Sequence, residues 1–172
     1  MGRAQKEGGG SRSVWARPAL LRVLVLGLFG LCVGILGCSS GPGSTRFLLE
    51  VAITAKANRN SPVPVTLVSV QDAKLLEKII QMTAKQWYDQ RDQMRRDFPS
   101  GTAFTEWDWE FVPGQAPPPM VVEVDGKAFG AVIFANYRSP GDHRFRIGPQ
   151  RRMRIDLGDD ELAVSPLDSS QE

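Results

Sequence analysis

The chain has 172 residues and a formal net charge of +2 at pH 7. The first 37 residues hold five Lys or Arg and one acidic residue, so the remaining 135 carry 16 basic and 18 acidic side chains. That balance leaves no mature stretch with the concentrated positive charge that nucleic-acid binding needs, and we predict no binding to nucleic acid. One histidine and two cysteines are too few for a structural zinc site, so we expect no metal.

A basic N-terminal segment leads into 15 uncharged, mostly aliphatic residues, Val23–Gly37. A run of this length is typical of the apolar region of an export signal and is short for a membrane-spanning helix. It ends at Ile35-Leu36-Gly37-Cys38, a pattern typical of a bacterial lipobox, in which a diacylglycerol is attached to the cysteine thiol before cleavage. We therefore predict a lipoprotein signal peptide at 1–37, a lipidated Cys38 and a flexible tether at 38–45. The alternative is a single-pass membrane anchor with an incidental cysteine.

Acylation also explains how the chain uses its cysteines. Cys32 would leave with the signal peptide, so Cys38 is the only thiol of the mature chain and no internal disulfide can form. Ser39 follows the cysteine, at a position where an Asp would favour retention in the inner membrane. We therefore expect a lipid-anchored protein of the outer membrane that faces the periplasm.

The mature domain begins with two predicted strands, Phe47–Thr54 and Val63–Val70, in which aliphatic residues recur at every second position. Pro64 has no amide hydrogen and indicates an edge strand or a strand-initial position. The next stretch, about 72–97, has apolar residues three and four apart and stops before Pro99. It predicts one amphipathic helix of about 25 residues, or two helices with a break near Gln90.

Shorter strands follow this helix. In the first, Phe104–Val112, the aromatic residues Trp107, Trp109 and Phe111 alternate with acidic residues that we expect to face solvent. Further strands are predicted at 120–124, 127–137, 143–147, 151–157 and 161–164, with Asp125-Gly126 as a hairpin turn between the first two of them. The pattern predicts an all-β domain at 46–165, an antiparallel β-sandwich with one helical insertion between strands 2 and 3. We expect a disordered tail at 166–172.

The mature sequence lacks a set of residues that would support catalysis. Asp142 and His143 lie beside a turn, but no Gly-x-Ser-x-Gly motif accompanies them and Cys38 is committed to acylation. There is no phosphate-binding P-loop and no dinucleotide-binding Gly-x-Gly-x-x-Gly motif. We therefore predict no catalytic residues, no cofactor and no enzymatic activity, and expect a domain that binds or assembles with something else.

Three segments resemble TssJ, the outer-membrane lipoprotein family of the bacterial type VI secretion system. They are Asn60-Ser-Pro-Val-Pro-Val-Thr-Leu-Val68, then Phe111-Val-Pro-Gly-Gln115, and finally Ala131-Val-Ile-Phe-Ala-Asn-Tyr-Arg138 followed by His143-Arg-Phe-Arg146. Together with the lipobox and the tether, they cover most of the mature chain. On these motifs the sequence is similar to a divergent member of the family.

The resemblance implies a transthyretin-like β-sandwich with an added helix. It also implies that the protein tethers the trans-envelope complex of the secretion system by binding the periplasmic domain of the inner-membrane protein TssM. The loop between the first two strands would contribute to that contact, with Asn58, Arg59, Asn60, Ser61 and Pro62 as partner-binding residues. The alternative is a periplasmic lipoprotein that binds a ligand or peptidoglycan through exposed aromatic residues, in which case Trp107 and Trp109 would lie at the surface.

Overall fold

Two four-stranded sheets face one another in a computed structural model that describes residues 43–98 and 101–167. The first sheet has the strand order β4-β1-β7-β8 and the second the order β3-β2-β5-β6. The predicted β-sandwich is confirmed. The strands are β1 Thr45–Ile53, β2 Val63–Val70, β3 Phe104–Phe111, β4 Met120–Val124, β5 Gly130–Ala135, β6 Arg144–Ile147, β7 Arg152–Leu157 and β8 Leu162–Pro166.

One strand pair is parallel, which the antiparallel prediction did not include. In the first sheet β1 runs alongside β7 in the same direction, from Leu48 opposite Arg152 to Ile53 opposite Leu157. The other strand pairs are antiparallel. The prediction missed this pair because turn signals report which strands follow one another in the chain, whereas β1 and β7 lie about 100 residues apart and are brought together by the crossovers between the sheets.

The space between the sheets is filled by side chains from every second position of the strands. The largest fully buried residues there come from both sheets, and the buried members of this inter-sheet core include Leu49, Val51, Val65, Leu67, Ile133, Met153, Ile155 and Leu157. Trp107 and Trp109 are half-buried and pack against the same core from β3, at the edge of the second sheet.

Two helices lie between β2 and β3, α1 at Ala73–Ile79 and α2 at Ala84–Asp97. The Asp72 side chain caps α1 by accepting the Leu75 N–H at 2.7 Å. Thr83 and Gln86 form a capping box at the start of α2. The predicted break near Gln90 was therefore wrong, as was the single long helix, because Thr-x-x-Gln is itself a helix-start signal.

The helices cover the outer face of the second sheet, so that sheet is buried on both sides. The Trp87 ring, which is fully buried, stacks on Phe134 at 5.3 Å and meets Phe104 edge-on at 5.9 Å between ring centroids. These contacts form a second core between helices and sheet, with buried members Val68, Val70, Leu75, Leu76, Ile79, Met82, Ala84, Trp87, Met94, Phe104, Val132 and Phe134. Among the described residues, neither helix is long and apolar enough to cross a membrane.

Part of the acidic face of β3 lies near α2, and the prediction that this face is exposed to solvent was wrong for Glu106, whereas Asp108 and Glu110 are exposed as predicted. Arg95 of α2 forms ion pairs with both Glu106 and Asp108, and Arg91 lies 3.3 Å from Asp108. The Glu106 side chain is only 16% exposed. Alternation located this face correctly, but a strand pattern cannot show that a helix from elsewhere in the chain supplies the opposite charges.

One further expectation, about a turn, needs correction, and one about a strand is confirmed in its second form. The turn at Asp125-Gly126 exists, with Asp125 accepting the Lys127 N–H at 2.9 Å, but it leads from β4 in one sheet to β5 in the other. It is therefore not a hairpin. Pro64 is indeed strand-initial, as the second residue of β2, yet β2 is a central strand and not an edge. The missing amide is tolerated there because β5 begins to pair with β2 only at Val65.

Candidate functional site

Three loops meet at one end of the sandwich, which we call the three-loop end. They are residues 54–62 between β1 and β2, 136–143 between β5 and β6, and 158–161 between β7 and β8. Because β1 begins at Thr45 and runs toward this end, the chain enters the sandwich at the opposite end. The loop that the sequence predicted as the partner-binding segment therefore lies at the far end of the sandwich from Thr45.

Asn58 holds the three loops together from the inside. It is 3% exposed, its side-chain amide donates to the Pro62 carbonyl at 2.8 Å, and its Oδ1 accepts the backbone N–H of Arg138 at 2.7 Å. Its own backbone N–H donates to the Asp159 carbonyl at 2.8 Å. The expectation that Asn58 is an exposed contact residue was wrong. A polar residue in a loop was taken for a surface residue, but the loop backbone has buried groups that need partners.

The loop turns through three consecutive residues with left-handed backbone angles: Asn58 at φ 50°, Arg59 at φ 59° and Asn60 at φ 56°. Asparagine tolerates this region, whereas a side chain such as that of arginine costs about 1–2 kcal/mol there. Strained non-glycine residues cluster at functional sites, where the surrounding structure holds them. The strained backbone of the exposed residue Arg59 therefore makes it a candidate functional residue.

Of the other predicted contact residues, Arg59, Asn60 and Pro62 are exposed and Ser61 is half-buried. Sequence reasoning did not include the residues that the neighbouring loops bring to the same end. The exposed charged residues there are Arg138 and Asp142 in the second loop and Asp159, Asp160 and Glu161 in the third. The three acidic neighbours were visible as a short charged run, but nothing in the sequence placed that run beside the loop at 54–62.

Tyr137 ties the second loop to the third. Its hydroxyl donates to the carbonyls of Gly158 at 3.1 Å and Glu161 at 2.9 Å, and burial raises the pKa of this phenol. The ring of His143 lies 4.8 Å from the Tyr137 ring, and His143 Nε2 is 3.0 Å from the Ser139 carbonyl oxygen. The Asp142-His143 pair noted in the sequence is thus part of the loop structure, with His143 half-buried.

A cleft of about 460 Å³ opens beside the three-loop end, between α2 and the start of β2. At its base, the Thr66 hydroxyl donates to Asp108 and lies 2.9 Å from the Tyr88 hydroxyl. Burial raises the pKa of Tyr88 to about 12, and the Arg91 guanidinium lies 5.1 Å from the centre of its ring. The cleft is lined by Pro64, Tyr88, Arg91, Asp108, Trp109, Glu110 and Asn136.

Neither region offers a set of groups for metal chemistry. Within residues 43–98 and 101–167, no cluster of three His, Cys, Asp or Glu side chains could hold a metal ion. Cys38, the predicted lipidation site, lies outside the described residues.

No family model matches the sequence, and no curated protein matches it. Solved structures do match in fold. Lip from Serratia marcescens, a membrane-bound component of the type VI secretion system, has a TM-score of 0.54 at 11% identity, over 70% of this chain and 97% of that one. A chain in a type VI membrane complex has a TM-score of 0.51 at 14% identity, over 73% and 100% of the two chains.

A chain in a structure of the C-terminal domain of the type VI secretion protein TssM from EAEC has a TM-score of 0.50 at 13% identity, over 72% of this chain and 98% of that one. In each case the likeness spans nearly the whole of the matched chain. At these identities it concerns the fold. The chain therefore shares the fold of the type VI secretion lipoproteins, the family that its sequence motifs resemble.

Proposed function

We propose that this protein is an outer-membrane lipoprotein that tethers a type VI secretion trans-envelope complex by binding the periplasmic domain of a TssM-like inner-membrane protein. The observation that carries the proposal is the shared fold, which extends over nearly the full length of the matched secretion-system chains. The lipobox-like sequence at Ile35–Cys38 supports it independently. In this role the protein acts by anchoring and binding, without enzymatic chemistry.

The position of the two ends of the sandwich fits a tether. The nine residues of β1 span about 30 Å at the rise of an extended strand. A lipid on Cys38 would hold the Thr45 end near the membrane, and the three-loop end would then point away from it, into the periplasm. A partner anchored in the opposite membrane would meet this end first.

The backbone of the three-loop end is held in one conformation by hydrogen bonds between the loops. Asn58 and Tyr137 bond the three loops to each other, so little loop ordering is needed when a partner binds. Preorganisation of this kind increases affinity because less conformational entropy is lost. We assign partner contact to Arg59, Asn60 and Pro62, and a smaller contact to the half-buried Ser61. Asn58 does not contact the partner in this assignment; it fixes the conformation of the loop.

Capture by the periplasmic domain of the TssM-like protein from the same organism tests this assignment. We expect the double variant Arg59→Ala/Asn60→Ala to weaken capture by about tenfold or more, as for residues that dominate an interface. The matched control is Lys85→Ala/Gln93→Ala, which removes one exposed basic and one exposed amide side chain from α2. Equal capture by the loop variant and the control would show that the loop is not the contact.

The anchor is tested separately. Cys38→Ser should abolish incorporation of labelled fatty acid and shift the protein from the outer-membrane fraction to the soluble periplasmic fraction. If Cys38→Ser still carries label, the lipidation site is elsewhere or the segment is a membrane anchor.

The alternative function, recognition of a ligand or peptidoglycan by surface aromatic residues, is less well supported. It requires Trp107 and Trp109 at the surface, but both are half-buried and pack against the inter-sheet core. Only Trp109 reaches the cleft beside α2. Titration of the protein with peptidoglycan fragments, followed by tryptophan fluorescence, would reveal such binding.

A further inference from the structure

We propose that the end of the sandwich opposite the three-loop end binds the headgroups of anionic phospholipids and so fixes the orientation of the domain on its membrane. The surface consists of Lys127, Phe129, Arg151 and Arg152, and we call it the tether-end surface. This inference rests on the proposed acylation of Cys38. It adds that the protein contacts the membrane with its folded domain as well as with its lipid.

Phe129 is the first observation. Its side chain is 63% exposed, in the segment between β4 and β5. Its position is fixed, since its backbone N–H donates to the Val70 carbonyl at 2.8 Å. Beside it lies a cavity of about 270 Å³, lined by Phe129 together with residues from the start of β1 and the end of β6. An exposed aromatic ring at the same end of a domain as exposed basic residues is typical of surfaces that insert into the interface of a bilayer.

The charges at this end are the second observation. Lys127, Arg151 and Arg152 are exposed, and no ion pair holds their side chains among the residues that the structure describes. Arg151 is fixed at the start of β7, where its carbonyl accepts the Leu48 N–H at 2.8 Å. Of the acidic residues nearby, Glu123 is engaged by Ser44 and Arg46, which leaves Asp125. Basic side chains near an anionic bilayer each increase binding by roughly fivefold.

The path of the chain is the third observation. Gly43 passes directly over the turn between β4 and β5, so closely that a Cβ on Gly126 would clash with the Gly43 carbonyl oxygen. Ser44 then donates to Glu123 at 2.6 Å. From Gly43 to Cys38 is five residues, which span at most about 18 Å. A lipid on Cys38 would therefore keep the tether-end surface within reach of the headgroups.

Site-specific quenching in reconstituted vesicles tests the proposal. The full-length gene is expressed so that the protein is lipidated, with Phe129→Cys carrying a small apolar fluorophore and Arg59→Cys, at the three-loop end, as the matched control. Acylation of Cys38 is verified by mass. Vesicles contain a headgroup-nitroxide lipid in either phosphatidylcholine alone or phosphatidylcholine with phosphatidylglycerol. We expect strong quenching at position 129 in the phosphatidylglycerol vesicles only, and none at position 59.

A second variant tests the charges. Lys127→Gln/Arg151→Gln/Arg152→Gln, in the labelled Phe129→Cys protein, should lower quenching to the level seen in phosphatidylcholine alone, and raised salt should do the same because it screens exposed charges. Equal quenching at positions 129 and 59, or no difference between the two vesicle types, would overturn the inference while leaving the anchor intact. A protein without acyl mass on Cys38 would overturn both. Capture of the partner is measured separately, in detergent. A failure of capture would contradict the proposed partner-binding role and would leave the proposal for the tether-end surface unaffected.

Discussion

The Oδ1 atom of Asn58 accepts the backbone N–H of Arg138 at 2.7 Å, although the two residues lie 80 positions apart in the chain. This bond joins the loop between β1 and β2 to the loop between β5 and β6. The first loop follows a strand of the first sheet (β1), and the second loop follows a strand of the second sheet (β5). Because the same side chain also donates to the Pro62 carbonyl, one buried amide fixes the loop that carries Arg59 and Asn60.

Replacement of Asn58 should therefore destabilise the fold as well as the loop. Asn58→Ala leaves the Arg138 N–H and the Pro62 carbonyl without their partners, and each unsatisfied group costs about 1–3 kcal/mol. We expect the free energy of unfolding in urea to fall by about 2–4 kcal/mol.

Asn60→Ala is the matched control, because Asn60 is exposed and shares the left-handed backbone, with φ 56°. It should lose only about 1 kcal/mol, from the backbone preference alone. Equal losses in the two variants would mean that the Asn58 side-chain bonds add nothing to stability.

Arg59→Gly should separate stability from binding. Glycine adopts φ 59° without strain. The strain energy that it relieves in the folded state exceeds the conformational entropy that it adds to the unfolded state, so we expect the free energy of unfolding to rise by about 0.5–1 kcal/mol. The same change removes the exposed guanidinium, so capture of the partner's periplasmic domain should weaken.

Lys56→Gly provides the comparison for Arg59→Gly. Lys56 is an exposed basic neighbour with an ordinary φ of −102°, so glycine should cost about 0.5–1 kcal/mol there. If both glycine variants are destabilised alike, the left-handed turn at Arg59 stores no strain.

The ion pair of Arg95 with Glu106 should couple α2 to β3. Glu106 is largely covered while Arg95 remains 40% exposed, so solvent screening limits the strength of the pair. In a double-mutant cycle with Arg95→Ala and Glu106→Ala, we expect a coupling energy of about 1 kcal/mol that declines in high salt.

The exposed pair Lys85–Asp89 within α2 is the reference for that cycle and should couple by about 0.3–0.5 kcal/mol. A coupling between Arg95 and Glu106 no larger than this would show that the helix is held on the sheet by its apolar face, chiefly Trp87, without help from the ion pairs.

The sequence allowed the strands to be located because their period-two patterns are local, and β2, β3 and β4 begin where predicted. What it could not reveal depends on contacts between distant segments. The parallel pairing of β1 with β7, the turn at Asp125 that leads from one sheet to the other, and the burial of Asn58 all follow from how the sheets stack. The break between α1 and α2 could have been predicted, because Thr83 and Gln86 form a local helix-start signal. It was missed because the apolar stripe continues across both helices.

The same limit applies to the candidate site. A family resemblance indicated the loop between the first two strands, about 56–62, and the structure brings Arg138 and the acidic residues 159–161 beside it. No local pattern connects these segments, since their proximity depends on Asn58 and Tyr137 reaching across loops.

Alkaline pH should weaken the fold through its two buried tyrosines. Burial raises the pKa of Tyr88 from its ordinary 10.0 to about 12 and also raises that of Tyr137. A phenol with a raised pKa in the folded state holds its proton where the unfolded chain has lost it. The contribution of such a phenol to the free energy of unfolding is therefore complete below pH 10 and is lost as the pH rises from 10 toward 12.

Tyr88 illustrates the cause. Thr66 donates its only hydroxyl hydrogen to Asp108, so the Tyr88 O–H is the donor in the bond between the two hydroxyls. Burial of the Tyr88 ring disfavours the ionised phenolate, and the negative charges of Asp108 and Glu106 raise the pKa further. Two pKa units correspond to about 2.7 kcal/mol, so we expect the free energy of unfolding to fall by about 2–3 kcal/mol from Tyr88 between pH 10 and 12, measured by urea titration.

Tyr88→Phe distinguishes this effect from general alkaline denaturation. At pH 7 the variant should lose about 1 kcal/mol, the usual value of one hydrogen bond. Between pH 10 and 12 its stability should fall less steeply than that of the wild type, because only Tyr137 still contributes. Tyr137→Phe should behave in the same way, and the double variant should be the least sensitive of the four proteins. If all four lose stability in parallel over this range, ionisation of the buried phenols is not what unfolds the protein in alkali.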